Sequence, residues 1–235
     1  MDPVLEVKNL LRRYPRLFDF LQYMIGPVLR NDRLEAEFKA FVATSPEKQF
    51  FNLGGGVSRS AANVKNIDFK AGPNVDLIAD LHWIPLATES VDGITCVAVV
   101  EHLRNPAQLV AETHRILKPG GLAHFNIPFM QPYHASPDDF QRYTDSGLKE
   151  LFTPFELIKL ECMGGPASAL TWLLTEFFSL CLSCGSRSLH AFWFLCFTAT
   201  LWPLKFLDLI LIHFPNSRIM TSNFTVLLRK PFREL

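Results

Sequence analysis

Net charge is the first thing this chain lacks: 23 Lys and Arg stand against 23 Asp and Glu, and charged residues make up only 20% of it. A neutral chain is not built to coat a phosphate backbone, so no nucleic-acid partner is expected. Disorder is excluded by the 49% hydrophobic content. Cysteine is sparse and odd in number (Cys96, Cys162, Cys181, Cys184 and Cys196), which reads as reduced thiols. Cys181 and Cys184 have C-x-x-C spacing, but no second pair follows them, so core or interface thiols are expected. Nothing shows the spacing of three or four converging metal ligands, and no metal is expected. The start lacks an apolar stretch behind basic residues, so no signal peptide is read. The expectation is a protein on the cytoplasmic side, peripheral to a membrane and not secreted. No Gly-Lys-Ser/Thr sequence is present, which removes the P-loop.

What is there is alternation. Residues 1–45 read as a helical preface, with Leu17, Phe18, Leu21, Met24 and Ile25 at helical spacing. Strands are expected over 48–53, 64–68, 76–80, 93–100, 122–127 and 155–160, with a last strand over 223–229. A helix is expected from Pro106 to Leu117, stopped by Lys118-Pro119-Gly120-Gly121, and another from Ser146 to Phe152, capped near Thr144 or Asp145. Such alternation predicts a parallel sheet covered on both faces.

The first strand runs into Asn52-Leu53-Gly54-Gly55-Gly56, and the second ends in Asp68. Glycines after a strand let the backbone approach a ligand, and a carboxylate at the end of the next strand can accept both hydroxyls of a ribose. Three glycines alone fit a plain turn equally well. A dinucleotide fold would place its acid about 20 residues past the glycines, whereas Asp68 follows Gly56 by 12.

Four segments resemble those of class I S-adenosylmethionine-dependent methyltransferases, especially the small-molecule group called type 11. They are Phe51-Asn-Leu-Gly-Gly-Gly56, Asp80-Leu-His-Trp-Ile-Pro-Leu86, Ser90-Val-Asp-Gly-Ile94, and Val99-Val-Glu-His-Leu103 with Arg115-Ile-Leu-Lys-Pro-Gly-Gly121. The resemblance covers residues 46–163 and the last strand. It implies a Rossmann-like, mostly parallel seven-stranded sheet with the last strand antiparallel, and S-adenosylmethionine as cofactor. It also implies that Gly54 and Gly56 pass under the methionine part, Asp68 holds the ribose, and Asp80 and Leu81 contact the adenine. Val99 to His102 would line the sulfonium and the substrate entrance, and Pro119-Gly120-Gly121 would be the turn into the fifth strand. The chain departs from the pattern at Asn52, where the family has an acid, and between Val57 and Asn63, where the family has a full helix.

Methyl transfer from a sulfonium is a displacement, so alignment matters more than a fixed triad. The richest polar cluster is the loop Pro128 to Thr144. His134 is the candidate base there, oriented by Asp138 or Asp139, with His102 as a second histidine that either contacts substrate or caps a helix. Tyr133, Arg142 and Tyr143 are candidate substrate binders; the alternative is that Arg142 and the two acids only brace the loop. Trp83 either walls the adenine pocket or packs in the core.

Gly164 to Ser222 is an apolar, aromatic insertion where the family has a short loop. Glu176, Pro203, Lys205 and Asp208 interrupt it, so two or three amphipathic or re-entrant helices are expected rather than a clean span of about 20 residues. They would contact a membrane, a lipid or an apolar protein partner, or else form a buried layer. The expected domains are 1–45, 46–163 with 223–235, and 164–222. Two functions remain open: methyl transfer to an apolar or membrane-derived small molecule at oxygen or carbon, or an inactive methyltransferase-like subunit of a membrane assembly.

Overall fold

The computed structural model describes residues 23–24, 26–56, 61–135 and 137–233. The helical reading of residues 1–22 and most of the Val57–Asn63 segment lie outside them.

The chain divides into two compact units. The larger comprises Asp32–Phe129, Tyr133–Glu161 and Phe224–Leu235. Its elements in chain order are α1 (Arg33–Ala43), β1 (Phe50–Leu53), β2 (Val64–Asp68), β3 (Leu77–Ile78), β4 (Val91–Val97), α2 (Pro106–Ile116), β5 (Leu117–Pro128), α3 (Asp145–Leu151), β6 (Glu156–Gly164) and β7 (Asn223–Arg229), the last two having their ends in the other unit. The seven strands form one sheet in the order β3-β2-β1-β4-β5-β7-β6. Strands β1 to β5 pair in parallel, with Phe50 opposite Val64 on one side and Gly93 on the other. β7 runs antiparallel to β5: Gly120 N–H donates to Lys230 O, and Lys230 N–H to Gly121 O, at the start of β5 and the end of β7. Chain order reverses between β1 and β4, and ligands of open α/β sheets bind at such a switch point.

Local sequence explains most elements. α1 buries Leu34, Phe38 and Val42 at fourfold spacing, and Phe38 and Val42 pack with Phe50, Val64 and Leu227. α2 begins at Pro106, with Asn105 accepting the Gln108 N–H as its cap. α3 begins behind Thr144, which accepts the Gly147 N–H. Six of the seven β7 residues are buried, as a strand covered on both faces requires. His124 bridges three central strands, its Nδ1 3.2 Å from Thr95 Oγ1 and its Nε2 3.0 Å from Thr225 Oγ1.

One boundary differs. Pro119-Gly120-Gly121 is not a turn ahead of the fifth strand; β5 already starts at Leu117. Gly120 has φ 78°, and pairing with β4 jumps from Val91↔Leu117 to Gly93↔Leu122. The segment is an irregular start to the strand, held by the end of β7.

The second unit comprises Met1–Asn31, Met130–Pro132 and Cys162–Asn223. It holds α4 (Pro166–Leu182), α5 (Arg187–Leu201), a short 3-10 stretch (Trp202–Leu207) and α6 (Asp208–Leu211). α4 is turned inside out. Its buried residues are Ala167, Ser168, Ala169, Thr171, Thr175 and Ser179, while Leu170, Phe177, Phe178, Leu180 and Leu182 are exposed. The buried hydroxyls donate to carbonyls one turn back, Thr171 to Ala167 and Thr175 to Thr171. The polar residues that interrupt the apolar run also turn inward. Lys205 is fully buried and donates to the carbonyls of Tyr23 and Gly26. Asp208 accepts from the N–H groups of Ala167 and Ser168 at 2.8 Å each, capping α4 where Gly165 has no side chain to do so. The 25-residue run Arg187–Leu211 is long and apolar enough to cross a membrane by length and composition, more than the interrupted sequence suggests.

Candidate functional site

At the end of β1, Gly54 takes φ 75° and donates its N–H to Ile67 O. A Cβ there would lie 2.3 Å from Val99 Cγ2, so position 54 excludes a side chain on two counts. Gly56 donates to Asp68 Oδ2 at 3.0 Å, and Lys70 N–H donates to Asp68 Oδ1. Each carboxylate oxygen keeps a further lone pair for a ligand hydroxyl. Asn52 lies beneath the loop: a Cβ on Gly55 would sit 2.0 Å from its amide nitrogen. The neighbouring Asn66 amide donates to the carbonyls of Gly55 and Asn74. The loop is thus closed from below by two neutral amides.

At the next strand end, Asp80 is exposed, and the His82 backbone N–H, followed by its ring, holds the carboxyl below its usual range against a smaller opposing effect of burial. Leu81 is buried, and Trp83 is 72% exposed rather than in the core. The segment 80–86 is laced to α2. Glu112 accepts the Ile84 N–H, Arg115 donates to the carbonyls of Ile84 and Leu86, and Gln108 donates to His82 O. The spacing between this segment and Arg115 is therefore a scaffold feature.

After β4 the chain kinks at Ala98, a non-glycine residue with φ 54°, whose N–H donates to Asn126 O. Strain of this kind persists where surrounding structure enforces it, often at functional sites. A single 3-10 turn, Val100–His102, follows. Against it folds the loop 137–144. Phe140 N–H donates to Glu101 O, Gln141 Nε2 to Leu103 O, and His102 Nδ1–H to Asp138 O at 2.5 Å. Since a carbonyl only accepts, His102 presents its other nitrogen, Nε2, as a lone pair when neutral.

The expected role of Asp138 needs correcting. Its carboxylate is exposed and does not orient His134; its carbonyl positions His102 instead. The acid beside His134 is Asp139, which accepts the His134 N–H at 2.9 Å and pairs with the Arg142 guanidinium. Burial pushes the Asp139 carboxyl up, but Arg142 and the His134 N–H together bring it below its usual range. Arg142 therefore braces the loop, and its Nη2 also stands 3.3 Å from His134 Nδ1. Tyr143 donates to Gln141 Oε1, while Tyr133 is 71% exposed. A groove of about 450 Å³ between α2 and α3 includes Tyr143 among its lining residues but none of the glycine loop.

The structure adds Glu101, which the sequence reading does not single out. It is completely buried, and its Oε1 lies 3.7 Å from His102 Nε2 and 3.5 Å from His134 Nε2. The sequence shows no metal-ligand spacing, but the fold brings one atom from each of these three residues within 4.8 Å of the others. An acid directly after an apolar strand was the available signal. Burial, and after it the Glu101 charge, drive the Cys96 thiol far up, so it is an inert core residue.

This geometry can be set beside known proteins. Residues 53–125 match the family model described as a methyltransferase domain. The match spans about a third of the chain and lies within the larger unit. The matched run holds most of the glycine loop, Asp68, Asp80, Val99, Glu101 and His102. An uncharacterized 37.1 kDa protein in transposon TN4556 of Streptomyces fradiae is 41% identical over 44 residues, 19% of this chain. The chain spans only 13% of that relative. The fold of the domain is also that of the (4+2)-cyclase SpnF, with TM-score 0.51 and 14% identity over 84% of this chain and 81% of the other. A phosphoethanolamine N-methyltransferase 2 of Haemonchus contortus, in complex with S-adenosyl-L-methionine, gives TM-score 0.50 and 14% identity over 83% of this chain and 52% of the other.

Proposed function

We propose that the chain transfers a methyl group from S-adenosylmethionine to an apolar or membrane-derived small molecule, at oxygen or carbon. The observation that carries the reading is the switch point between β1 and β4, where the side-chain-free Gly54 approach to Val99 lies on the same strand-end loops as Asp68 and Glu101-His102. Bound there, the cofactor supplies an electrophilic methyl group on a sulfonium. Gly54 to Gly56 accommodate its methionine part, Asp68 accepts hydrogen bonds from its ribose, and Asp80 meets the adenine amine. Asp68 fits this role because two backbone N–H groups hold it in place with lone pairs to spare. The acceptor is met by Glu101, His102, His134 and the exposed Tyr133. The stapled loop 137–144 contributes position, the main requirement of a displacement.

The apolar acceptor is suggested by the second unit. Its exposed residues include Phe177, Leu180, Phe192, Leu195, Leu209 and Ile210, each at least half exposed. A helix with small polar residues inside and large apolar residues outside is suited to an apolar environment. We place this surface against the cytoplasmic side of a membrane, or an apolar protein partner, as a peripheral contact.

Calorimetry with S-adenosylmethionine tests the core of the reading. Binding in the micromolar to millimolar range that Asp68→Ala weakens is expected; no binding at millimolar cofactor would overturn it. Flotation with phosphatidylcholine vesicles tests the surface, and a protein that stays monodisperse without detergent and ignores vesicles would remove it. The second reading, a subunit without methyl transfer, draws on the neutral Asn52 packed under Gly55 where the family has an acid. Failure of cofactor binding would favour it.

A further inference from the structure

Glu101 poses an electrostatic problem. Its side chain has no solvent exposure, and among the described residues neither carboxylate oxygen has a hydrogen-bond partner. A buried carboxylate without compensation is strongly disfavoured, and native proteins resolve such cases with a counter-charge or a metal. The groups facing its Oε1 are two imidazoles, at 3.5 and 3.7 Å.

We propose that Glu101, His102 and His134 bind one divalent first-row transition cation, with at least one coordination position open to the acceptor. Bonds of about 2.0–2.2 Å around a tetrahedral ion place neighbouring ligand atoms roughly 3.3 Å apart. The two carboxylate–imidazole separations exceed that by only a few tenths of an ångström, and all three ligand atoms lie within 4.8 Å of one another. Two imidazoles and one carboxylate select Zn²⁺, Fe²⁺, Mn²⁺ or Co²⁺ over the all-oxygen preferences of Ca²⁺ and Mg²⁺.

The surroundings of both histidines support ligation. Metal-bound histidine characteristically donates its other ring N–H to a carbonyl or carboxylate. His102 already does so, through Nδ1 to Asp138 O, which leaves Nε2 as the lone pair on the Glu101 side. At His134 a carboxylate acceptor lies nearby but is not yet engaged by the ring. Asp139 Oδ2 lies 3.8 Å from its Nδ1 and accepts its backbone N–H. Ligation through Nε2 puts the His134 proton on Nδ1, so the ring must turn from Arg142 towards Asp139.

Three protein ligands leave room for an oxygen of the acceptor. A hydroxyl bound to such a cation would release its proton to solvent more readily, and the resulting oxyanion would form the new bond to the methyl carbon as the sulfur–methyl bond breaks and S-adenosylhomocysteine leaves. This last step rests on the methyl-transfer reading; cation binding does not.

The test uses tag-free full-length protein carrying Cys181→Ser and Cys184→Ser, because these exposed thiols would otherwise compete for the metal. After treatment with EDTA, Zn²⁺ is titrated calorimetrically and Co²⁺ by its visible absorption. One equivalent is expected to bind, with a nitrogen- and oxygen-ligated cobalt spectrum free of thiolate charge transfer. Glu101→Gln and His134→Ala should each weaken binding at least tenfold. Because Glu101 is buried, His134→Ala on the half-buried loop is the decisive variant if the first fails to fold. No stoichiometric binding at about 100 μM Co²⁺, or binding unchanged in His134→Ala, would overturn the proposal and leave an imidazole–carboxylate cluster. Cofactor binding without cation binding sinks only this inference; cation binding without cofactor binding sinks only methyl transfer.

Discussion

Val99, just past β4, crowds Gly54 so closely that a Cβ at position 54 would stand 2.3 Å from its Cγ2. The contact joins the glycine loop to the strand end that carries Glu101 and His102, so a change at one reaches the other.

Gly54→Ala should therefore damage the site more than an ordinary loop substitution. The left-handed φ of 75° alone costs about 1–2 kcal/mol for a residue with a Cβ, and the collision with Val99 adds to it. Cofactor affinity should fall at least tenfold, together with a lower Tm. Wild-type affinity in this variant would remove the glycine loop from the site.

Asp68→Ala removes a charged acceptor from the ribose and releases the Gly56 N–H. Hydrogen bonds to charged groups contribute about 1.5–3 kcal/mol, which is roughly a ten- to hundredfold rise in Kd. Asp68→Asn, which keeps one acceptor oxygen, should fall between. Calorimetry distinguishes these outcomes from an unchanged Kd, which would place the ribose elsewhere.

In the second unit, Asp208→Ala leaves the N–H groups of Ala167 and Ser168 buried at the start of α4 with no cap. A loss of about 1–3 kcal/mol is expected, with Asn partly restoring it. Urea unfolding measures this; a stability within a few tenths of wild type would mean that α4 needs no cap.

Lys205 supplies a pH signature. Burial lowers its pKa from 10.5 to about 8. Between these values the unfolded chain binds more protons than the folded one, so this residue makes stability rise with pH across that window. Below pH 8 both states are protonated and its cost is constant. Lys205→Met should flatten the difference, worth roughly 3 kcal/mol across the window. Parallel stability–pH curves for the two proteins would contradict the burial of a charged ammonium.

Residues whose conformation depends on near neighbours were legible in the sequence. β7 occupies Asn223–Arg229 as its apolar run requires, and α3 starts behind Thr144 as its cap requires. The glycine loop and Asp68 meet as their positions at two strand ends imply. Less legible was everything that depends on a fold-back. Asp138 and Asp139 are interchangeable in a sequence; only the path of the loop makes one a carbonyl for His102 and the other a carboxylate for His134 and Arg142.

By itself the sequence determined the α/β alternation, the order of the site segments and the presence of an apolar insertion. These follow from periodicity and turn chemistry, which act over a few residues. Tertiary structure alone decided which face of α4 is covered, that Lys205 and Asp208 turn inward, and that Glu101 is buried between two histidines. Burial and charge compensation depend on neighbours brought together from far along the chain: His134 lies on a separate loop from Glu101, and Asp208 is 41 residues from the helix end it caps.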